Sequence, residues 1–294
     1  MRNELSILIP VYNANCHELV ATLSEQCNRL KTLKYEIIVL DDASDDPDCH
    51  HQSMEINQIP QCRYIINGKN MGRAATRNKL AAMAQFNWLL FIDGDMRVSK
   101  ADFITSYLNH NTASSLIYGG YEVIGEFPDN LRWLYEKKYW RKLHVLQQPK
   151  RHTYQQFRSC NFLIAKDVFR SHPFNSTFIR YGYEDMLFAK ELYNSGFVIT
   201  ISDNPVDFHK FESNESFIKK TEEGLRNLKA NEQDLRHESL LLYLVIFLRY
   251  SYLDAFIKYI FHLKEKSWRQ SLIMKKPNLY LFYMYKLGYY LSLT

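Results

Sequence analysis

The chain has 294 residues, enough for one large domain or for one domain with an appendage. Apolar residues make up 46% and charged residues 23%, which is typical of a globular protein with ample core. The net charge of +5 is uneven, because the 13 Lys/Arg and 8 Asp/Glu from Glu215 onward account for all of it. The five cysteines lack metal-ligand spacing and indicate reduced cytosolic thiols. We expect neither a secretory signal nor a membrane span, since no apolar stretch approaches about 20 residues.

The first hundred residues alternate between apolar strand patterns and helical patterns. Strands are predicted at 5–12, 35–40, 63–66 and 88–92, and helices at 17–30 and 73–85. Pro10 belongs at the end of the first strand, because it fixes φ and lacks a backbone donor. This alternation predicts a parallel, doubly wound sheet with right-handed crossovers.

The most informative stretch is the apolar run Trp88 to Ile92, which ends abruptly in Asp93-Gly94-Asp95. Ligands of open α/β sheets bind at the carboxyl ends of strands, where these two carboxylates are expected. A hard divalent cation with open positions for phosphate oxygens would compensate the two charges. A solvated Asp-Gly turn is the competing interpretation. The ends of the first two strands add Tyr12 and Asp42 to the same edge, and that convergence favours a ligand site.

Four motifs in order make the interpretation more specific: Ile9–Asn13, Val39–Ser44, Asn70–Asn78 and Phe91–Asp95. From residue 1 to about 210, the chain resembles family 2 glycosyltransferases of the GT-A fold. The resemblance implies an α/β fold, a GT-A Rossmann-like mixed sheet flanked by helices.

The same resemblance assigns nucleotide-binding residues. Pro10, Tyr12 and Asp42 would hold the base and ribose, with Tyr12 along the ring and Asp42 accepting from the N3–H of uracil. Arg73 or Arg77 would face the diphosphate, because an arginine fork suits that partner. Asp93 and Gly94 complete the implied nucleotide site.

The resemblance also assigns metal and catalytic residues. Asp95, assisted by Asp93 and by His209, would hold Mn²⁺ or Mg²⁺. Asp185 is the expected general base and Glu184 the alternative, at the start of a helix whose dipole favours carboxylates. Residues 159–161 would lie close to the donor sugar, and donor selectivity would depend on them and on residues 180–183.

Beyond Lys210 the resemblance ends, and we predict a catalytic domain at 1–212 and a helical, basic and aromatic extension at 213–294. The segment 131–143 would be a lid over the donor or a helix packed on the sheet. The apolar run 240–248 and the helical pattern after it would lie at a membrane interface, close over the catalytic core or form a homodimer face. No nucleic-acid motif is found.

The sequence thus predicts an inverting, metal-dependent transfer of a sugar from a nucleotide-diphosphate sugar, with UDP as the expected nucleotide. The acceptor would be a hydroxyl of a glycan or lipid-linked molecule, and the protein would be cytoplasmic or peripheral at the inner face of the membrane. Two alternatives remain: a sugar nucleotidyltransferase, disfavoured because the loop 11–15 has no glycine, and a nucleotide-sugar-binding subunit without turnover.

Overall fold

The computed structural model describes residues 2–46, 53–110, 114, 116–145, 153–178, 182–236, 238–274 and 276–293. The chain divides into two compact units. Unit 1 comprises Met1–Ile124, Pro149–Ile179 and Glu184–Lys210, and unit 2 comprises Gly125–Gln148, Arg180–Tyr183 and Phe211–Thr294. The predicted boundary at 212/213 therefore differs from this division, in which 125–148 belongs with the C-terminal region.

The strands of the described residues all lie in unit 1. They are β1 (Glu4–Val11), β2 (Lys34–Asp41), β3 (Cys62–Ile66), β4 (Trp88–Ile92), β5 (Leu116–Tyr118), β6 (Tyr121–Val123), β7 (Asn161–Ala165), β8 (Ile199–Ile201) and β9 (Val206–Phe208). Seven of them form one sheet in the order β3-β2-β1-β4-β7-β5-β8, and β6 pairs with β9. Strands β1 to β4 pair in parallel, whereas β7 runs antiparallel to both neighbours. The predicted parallel alternation is thus confirmed for the first four strands, within a sheet that is mixed.

The helices of the described residues belong to both units. They are α1 (His17–Asn28), α2 (Arg73–Met83), α3 (Phe103–Asn109), α4 (Leu131–Val145), α5 (Lys166–Ser171), α6 (Glu184–Asn194), α7 (Asn214–Ala230), α8 (Leu240–Tyr250), α9 (Asp254–Ile273) and α10 (Leu279–Ser292). Short 3-10 helices occupy Glu55–Gln58 and Thr153–Gln156. Unit 2 contains α4 and α7 to α10, and unit 1 contains the others.

The sheet is buried because its central strands are almost wholly apolar. Leu89, Leu90, Phe91 and Ile92 of β4 are fully buried, as expected of a strand covered on both faces. Aromatic rings fill one side of the core: Phe91 stacks on Phe162 with ring centroids 4.9 Å apart. This packing fixes the strand end from which Asp93 and Asp95 emerge.

The apolar pattern of residues 115–124, with two glycines inside it, predicts one strand with a glycine kink. That prediction is wrong, because the structure has two strands there in two different sheets. The chain leaves the large sheet after Tyr118 and enters the small sheet at Tyr121. Gly119 permits this, since a Cβ there would lie 2.1 Å from the Tyr107 hydroxyl oxygen and 2.5 Å from Asn161 Nδ2. Gly120 adds a φ of +72°, which favours glycine.

Aromatic packing and a partly buried ion pair contribute to holding unit 2 together. The ring of Tyr135 on α4 contacts those of Phe217 on α7 and Phe282 on α10, which explains why α4 belongs to this unit. The Glu222 carboxylate accepts hydrogen bonds from Tyr285 at 2.7 Å and from Arg269 at 3.2 Å.

Two further sequence expectations concern the whole chain. Within the described ranges, no helix is by itself long and apolar enough to cross a membrane, and α8 and α9 meet the length and composition criteria only together, across a bend of 114°. The four cysteines of the described residues, Cys16, Cys27, Cys62 and Cys160, are free and buried. Burial raises the pKa of the Cys27 thiol to about 12 and that of Cys62 to about 11, so neither is a reactive thiolate.

Candidate active site

Three hydrogen bonds, each with at least one side-chain partner, join the loops after β1 and β2. Asn13 Nδ2 donates to Asp45 Oδ1 at 2.5 Å, and the Asp45 backbone N–H donates back to Asn13 Oδ1 at 3.0 Å. Asn13 also donates its own N–H to Ser44 Oγ at 2.7 Å. Asn13 and Ala43 both have left-handed backbone conformations, with φ of 50° and 58°. These bonds fix the edge of the sheet on which Tyr12 lies.

Tyr12 and Asp42, the two residues expected at the base and ribose, differ in their surroundings. Tyr12 is 49% exposed, so its ring can be reached by a planar ligand. Asp42 is buried, and its carboxylate accepts hydrogen bonds from Asn67 Nδ2 at 2.9 Å and from the backbone N–H groups of Met71 and Gly72 at 2.8 Å. Asp42 therefore holds the loop before α2 in place, and three of about four lone-pair sites are already used.

The Asp93-Gly94-Asp95 turn is pressed against the end of β1. The Gly94 N–H donates to the Pro10 carbonyl oxygen at 3.3 Å. A Cβ on Gly94 would lie 2.5 Å from Val11 Cγ2, so a side chain does not fit there. The glycine thus lets both carboxylates stand at the strand end while the backbone approaches β1.

The two arginines expected at the diphosphate, Arg73 and Arg77, differ in their exposure to solvent. Arg73 is exposed at the start of α2, as a diphosphate-binding residue requires. Arg77 is only 1% exposed, and its Nη2 donates to Asp93 Oδ1 at 2.6 Å. Its Nη1 lies 4.0 Å from Glu184 Oε1 and its guanidinium lies over the Phe174 ring at 5.4 Å. The expected contact of Arg77 with the diphosphate does not agree with this burial, and Arg77 instead links the end of β4 to the start of α6.

Glu184 and Asp185, the two candidate bases, also differ in exposure. Glu184 is buried, and its burial, with the neighbouring charge of Asp185, raises its pKa although Arg73 and Arg77 act in the opposite direction. Asp185 is half-buried, and its Oδ1 accepts a hydrogen bond from the Met186 N–H at 2.8 Å. The carboxylate that a substrate can reach is therefore that of Asp185.

The buried thiol of Cys160 shows that the two carboxylate motifs converge. Burial raises the pKa of Cys160 well above its usual value, and the negative charges of Asp93, Asp95 and Asp185 raise it further, against the effect of Arg77. One side chain thus lies within electrostatic range of three carboxylates, two from the turn after β4 and one from α6. Together with the Arg77 link, this brings both motifs to one place in unit 1.

The segment expected near the donor sugar is partly structural. Asn161 is fully buried: its Oδ1 accepts from the Tyr107 hydroxyl at 2.7 Å, and its Nδ2 donates to the carbonyl oxygens of Gly120 and Asn204 at 2.9 Å and 2.8 Å. Asn161 therefore holds the junction between the two sheets, a role that needs neighbours distant in sequence. Of the residues 180–183 expected to select the donor, Arg180 and Tyr181 lie outside the described residues.

Asp93 and Asp95 are the candidate ligands for a divalent cation. Both carboxylates are partly exposed, and one or two carboxylates with substrate phosphate oxygens form the usual set for Mg²⁺. The residues therefore fit such an ion. No group of three or more His, Cys, Asp or Glu side chains able to hold a metal occurs in the described ranges, so His209 does not join them in a preformed set. His209 Nδ1 lies 3.4 Å from the Asp207 carbonyl oxygen.

Asp207 is a buried carboxylate that the sequence did not single out. It binds Arg97 Nε at 3.0 Å and Ser99 Oγ at 3.0 Å, and its backbone forms an isolated bridge with Arg97. These bonds attach the segment after Asp95 to β9. No sequence signal distinguishes Asp207 from a surface carboxylate.

The comparison with protein families decides the classification. The model of glycosyl transferase family 2 matches residues 6–181, more than half of the chain. The chain belongs to glycosyl transferase family 2. The match includes most of β1, all of β2 to β4, the Asp93-Gly94-Asp95 turn and Arg77, and it confirms the resemblance found in the four motifs.

Two curated relatives illustrate how far sequence similarity to this family 2 protein extends. An uncharacterized glycosyltransferase of Haemophilus influenzae is 29% identical over 119 residues, 40% of this chain and 46% of its own length. The poly(ribitol-phosphate) beta-N-acetylglucosaminyltransferase TarP of Staphylococcus aureus is 28% identical over 142 residues, 46% of this chain and 41% of its own. The chain spans less than half the length of the curated relatives it matches.

Solved structures share the fold of this family 2 protein along nearly its whole length. The mannosyltransferase PcManGT from Pyrobaculum calidifontis, solved with GDP-Man and Mn²⁺, has a TM-score of 0.56 at 12% identity over 98% of this chain and 84% of its own. S. aureus TarS 1-349, solved with UDP-GlcNAc, has a TM-score of 0.55 at 15% identity over 98% and 89%. At such identities the likeness concerns the fold, and it confirms the predicted GT-A type mixed sheet with C-terminal helices.

Proposed function

We propose that this family 2 protein is an inverting glycosyltransferase that transfers a sugar from a nucleotide-diphosphate sugar to a hydroxyl of a glycan or lipid-linked acceptor. The observation that supports this most directly is the convergence of Asp93, Asp95 and Asp185 around Cys160, with Arg77 between Asp93 and Glu184. Asp93 and Asp95, through a divalent cation, suit the diphosphate end of a donor, and the accessible Asp185 suits the acceptor.

UDP is the proposed nucleotide. Tyr12 offers an exposed ring for the base, and Asp42 retains about one unused lone-pair site, which the N3–H of uracil can occupy. The solved structure of TarS with UDP-GlcNAc supports UDP, and that of PcManGT with GDP-Man identifies guanosine as the alternative to test. Arg73, exposed at the start of α2, would bind the diphosphate.

In the proposed reaction one bond forms, one bond breaks and one proton is transferred. The acceptor oxygen bonds to the anomeric carbon while the bond from that carbon to the diphosphate oxygen breaks, and the acceptor proton passes to the Asp185 carboxylate. Base catalysis of this kind typically contributes about 10²–10⁴-fold. Buried Glu184 is a poor base for an external hydroxyl, and we assign it to holding Arg77. Asp95 and Asp93 would hold Mn²⁺ or Mg²⁺, which when bound stabilises negative charge on the leaving diphosphate as a Lewis acid.

Turnover of nucleotide sugars tests the proposal. Purified protein is incubated with Mn²⁺ and a panel of UDP- and GDP-sugars, with and without glycan and lipid-linked acceptors, and the nucleotides are resolved by chromatography. Release of nucleoside diphosphate with formation of a glycosylated acceptor is the expected result. Formation of nucleoside triphosphate from pyrophosphate would instead show a nucleotidyltransferase, and tight binding without any turnover would show a binding subunit.

The variant Asp185→Asn separates binding from chemistry. It should bind UDP in the presence of Mn²⁺ as wild type does, because Asp185 is assigned to the acceptor side, and it should lose transfer by about 10²-fold or more. Asp203→Asn, on an exposed acid of unit 1, is the matched control and should transfer normally. Wild-type transfer by Asp185→Asn would remove Asp185 from the role of base.

A further inference from the structure

The exposed large apolar side chains of unit 2 are concentrated on α8, α9 and the turn between them. Ten such side chains are between 43% and 87% exposed over this stretch. We call them the apolar elbow surface: Leu240, Tyr243, Leu244, Phe247, Tyr250, Tyr252, Leu253, Phe256, Tyr259 and Leu263. A concentration of exposed apolar side chains of this size commonly marks an interaction site.

Helical spacing shows that these side chains form stripes. On α8, Leu240, Leu244 and Phe247 recur at the i, i+4, i+7 positions of one face. Leu242, Val245 and Leu248 lie on the other side of the helix and are buried. Since α8 already has an apolar side packed within its unit, the exposed stripe is additional to the core.

The second helix repeats the arrangement. Phe256, Tyr259 and Leu263 share one face of α9, while Phe261 and Leu272 are buried. The bend of 114° between the helices contains Tyr250 and Tyr252, which are 86% and 87% exposed. The two stripes are thus linked by the most exposed aromatic residues of the turn.

The charges beside the stripes are predominantly positive. Lys258, Lys264 and Lys266 are all exposed. The two acids of α9, Asp254 and Glu265, are half-buried, and Asp254 pairs with Lys258 at 3.3 Å. Lys266 follows Leu263 by three residues, so it continues the stripe of α9. The apolar elbow surface therefore has a cationic margin.

We propose that the apolar elbow surface binds the face of an anionic lipid membrane, with α8 and α9 lying in the interface. A basic margin around Phe, Leu and Tyr side chains is the composition of interfacial helices, and tyrosine suits a boundary that is apolar on one side and wet on the other. A second copy of the chain is a poorer partner, because pairing two such surfaces would oppose lysine to lysine, whereas anionic headgroups supply the complementary charge. This contact is separate from sugar transfer and does not depend on it.

Co-sedimentation with vesicles tests the proposal with the full chain. One set of vesicles is phosphatidylcholine alone, and the other contains one third phosphatidylglycerol. We expect binding to the anionic vesicles that weakens at high salt. The variant Phe247→Gln/Phe256→Gln should lower the partition coefficient about tenfold or more, and Lys264→Glu/Lys266→Glu should lower it by a similar factor.

Matched controls keep the result interpretable. Val198→Gln/Tyr280→Gln replaces two apolar residues elsewhere that are more exposed than Phe247 and Phe256, and Lys31→Glu/Lys34→Glu reverses two exposed lysines of unit 1. Both should bind vesicles as wild type does, and circular dichroism should give the same thermal midpoint for all four variants. Three results would each overturn the proposal. They are wild-type protein that stays in the supernatant, equal binding to the neutral and the anionic vesicles, and a dimer in sedimentation velocity that Phe247→Gln/Phe256→Gln abolishes.

Discussion

Arg77 donates to Asp93 at 2.6 Å from a position that is 99% shielded from solvent, and so joins the middle of α2 to the end of β4. No described residue accepts a hydrogen bond from its Nε or Nη1, while Nη1 faces Glu184 at 4.0 Å. A buried guanidinium has to be compensated by charge. The carboxylates of Asp93 and Glu184 therefore compensate the buried charge of Arg77, and Arg77 in turn fixes their positions.

Removal of the Arg77 charge should destabilise the protein as well as the site. Arg77→Gln leaves Asp93 without its buried cation, and breaking one partner of such a pair costs about 3–5 kcal/mol. The free energy of unfolding from urea denaturation should fall by about that amount, and sugar transfer should fall with it. An unchanged unfolding midpoint would show that Arg77 is not needed to hold Asp93.

Arg73 should behave in the opposite way. It is exposed, so Arg73→Gln should leave the unfolding midpoint unchanged. If Arg73 binds the diphosphate, losing a charge-assisted hydrogen bond of about 1.5–3 kcal/mol should weaken UDP binding about 10- to 100-fold, as measured by calorimetry with Mn²⁺ present. Arg63→Gln, on an exposed arginine of β3, is a control that should bind UDP normally. Equal affinity of Arg73→Gln and wild type would contradict the assignment.

The pair Arg73 and Arg77 also shows where sequence reasoning reaches its limit. The motif placed both on one helix near the diphosphate, and they lie four residues apart, so they share a helix face. Which of them is buried depends on Phe174 and Glu184, about a hundred residues away along the chain. The adjacent residues Glu184 and Asp185 pose the same problem, because tertiary packing alone makes the first buried and the second reachable.

By contrast, the strands and the turn at Asp93 were predictable because their signals are local. A continuous apolar run that ends in Asp-Gly-Asp gives both the bounds of β4 and the strand end where the ligand is expected. The change of sheet at Gly119 was not predictable, because it depends on Tyr107, Asn161 and Asn204 converging there.

Glu184 should make stability depend on pH in a defined direction. Its pKa is raised in the folded state, so as the pH rises through about 4.3 the unfolded chain loses this proton first. The stabilising contribution of Glu184 is therefore complete below about pH 4 and declines as the pH rises toward the raised pKa. Relative to wild type, Glu184→Gln should gain in free energy of unfolding as the pH rises from about 4.3 toward the raised pKa, measured by urea denaturation at a series of pH values. A pH-independent difference would mean that Glu184 is not titrating as inferred.

Gly94 should tolerate no side chain. In Gly94→Ala the new Cβ would lie 2.5 Å from Val11 Cγ2 and 3.3 Å from the Pro10 carbonyl oxygen, and overpacking of this kind costs about 1–3 kcal/mol. Gly68→Ala is the matched control, since nothing lies within 4 Å of a Cβ at that exposed position. Thermal unfolding should show a lower midpoint for Gly94→Ala only, and equal midpoints would mean that the end of β1 moves aside at little cost.

Tyr12 should contribute to nucleotide affinity through its ring. The side chain is 49% exposed at the end of β1, and the hydrogen bonds between Asn13 and Asp45 hold the adjoining backbone in place. Stacking of an aromatic ring on a base contributes about 1–3 kcal/mol, so Tyr12→Ala should weaken UDP binding about tenfold. Tyr12→Phe keeps the ring and should bind UDP within about twofold of wild type, with both variants unfolding at the wild-type midpoint because the ring is largely outside the core. Isothermal titration with UDP distinguishes the contribution of the ring from that of the hydroxyl. Equal losses of affinity in both variants would assign the effect to the hydroxyl, and unchanged affinity in Tyr12→Ala would remove Tyr12 from the base site.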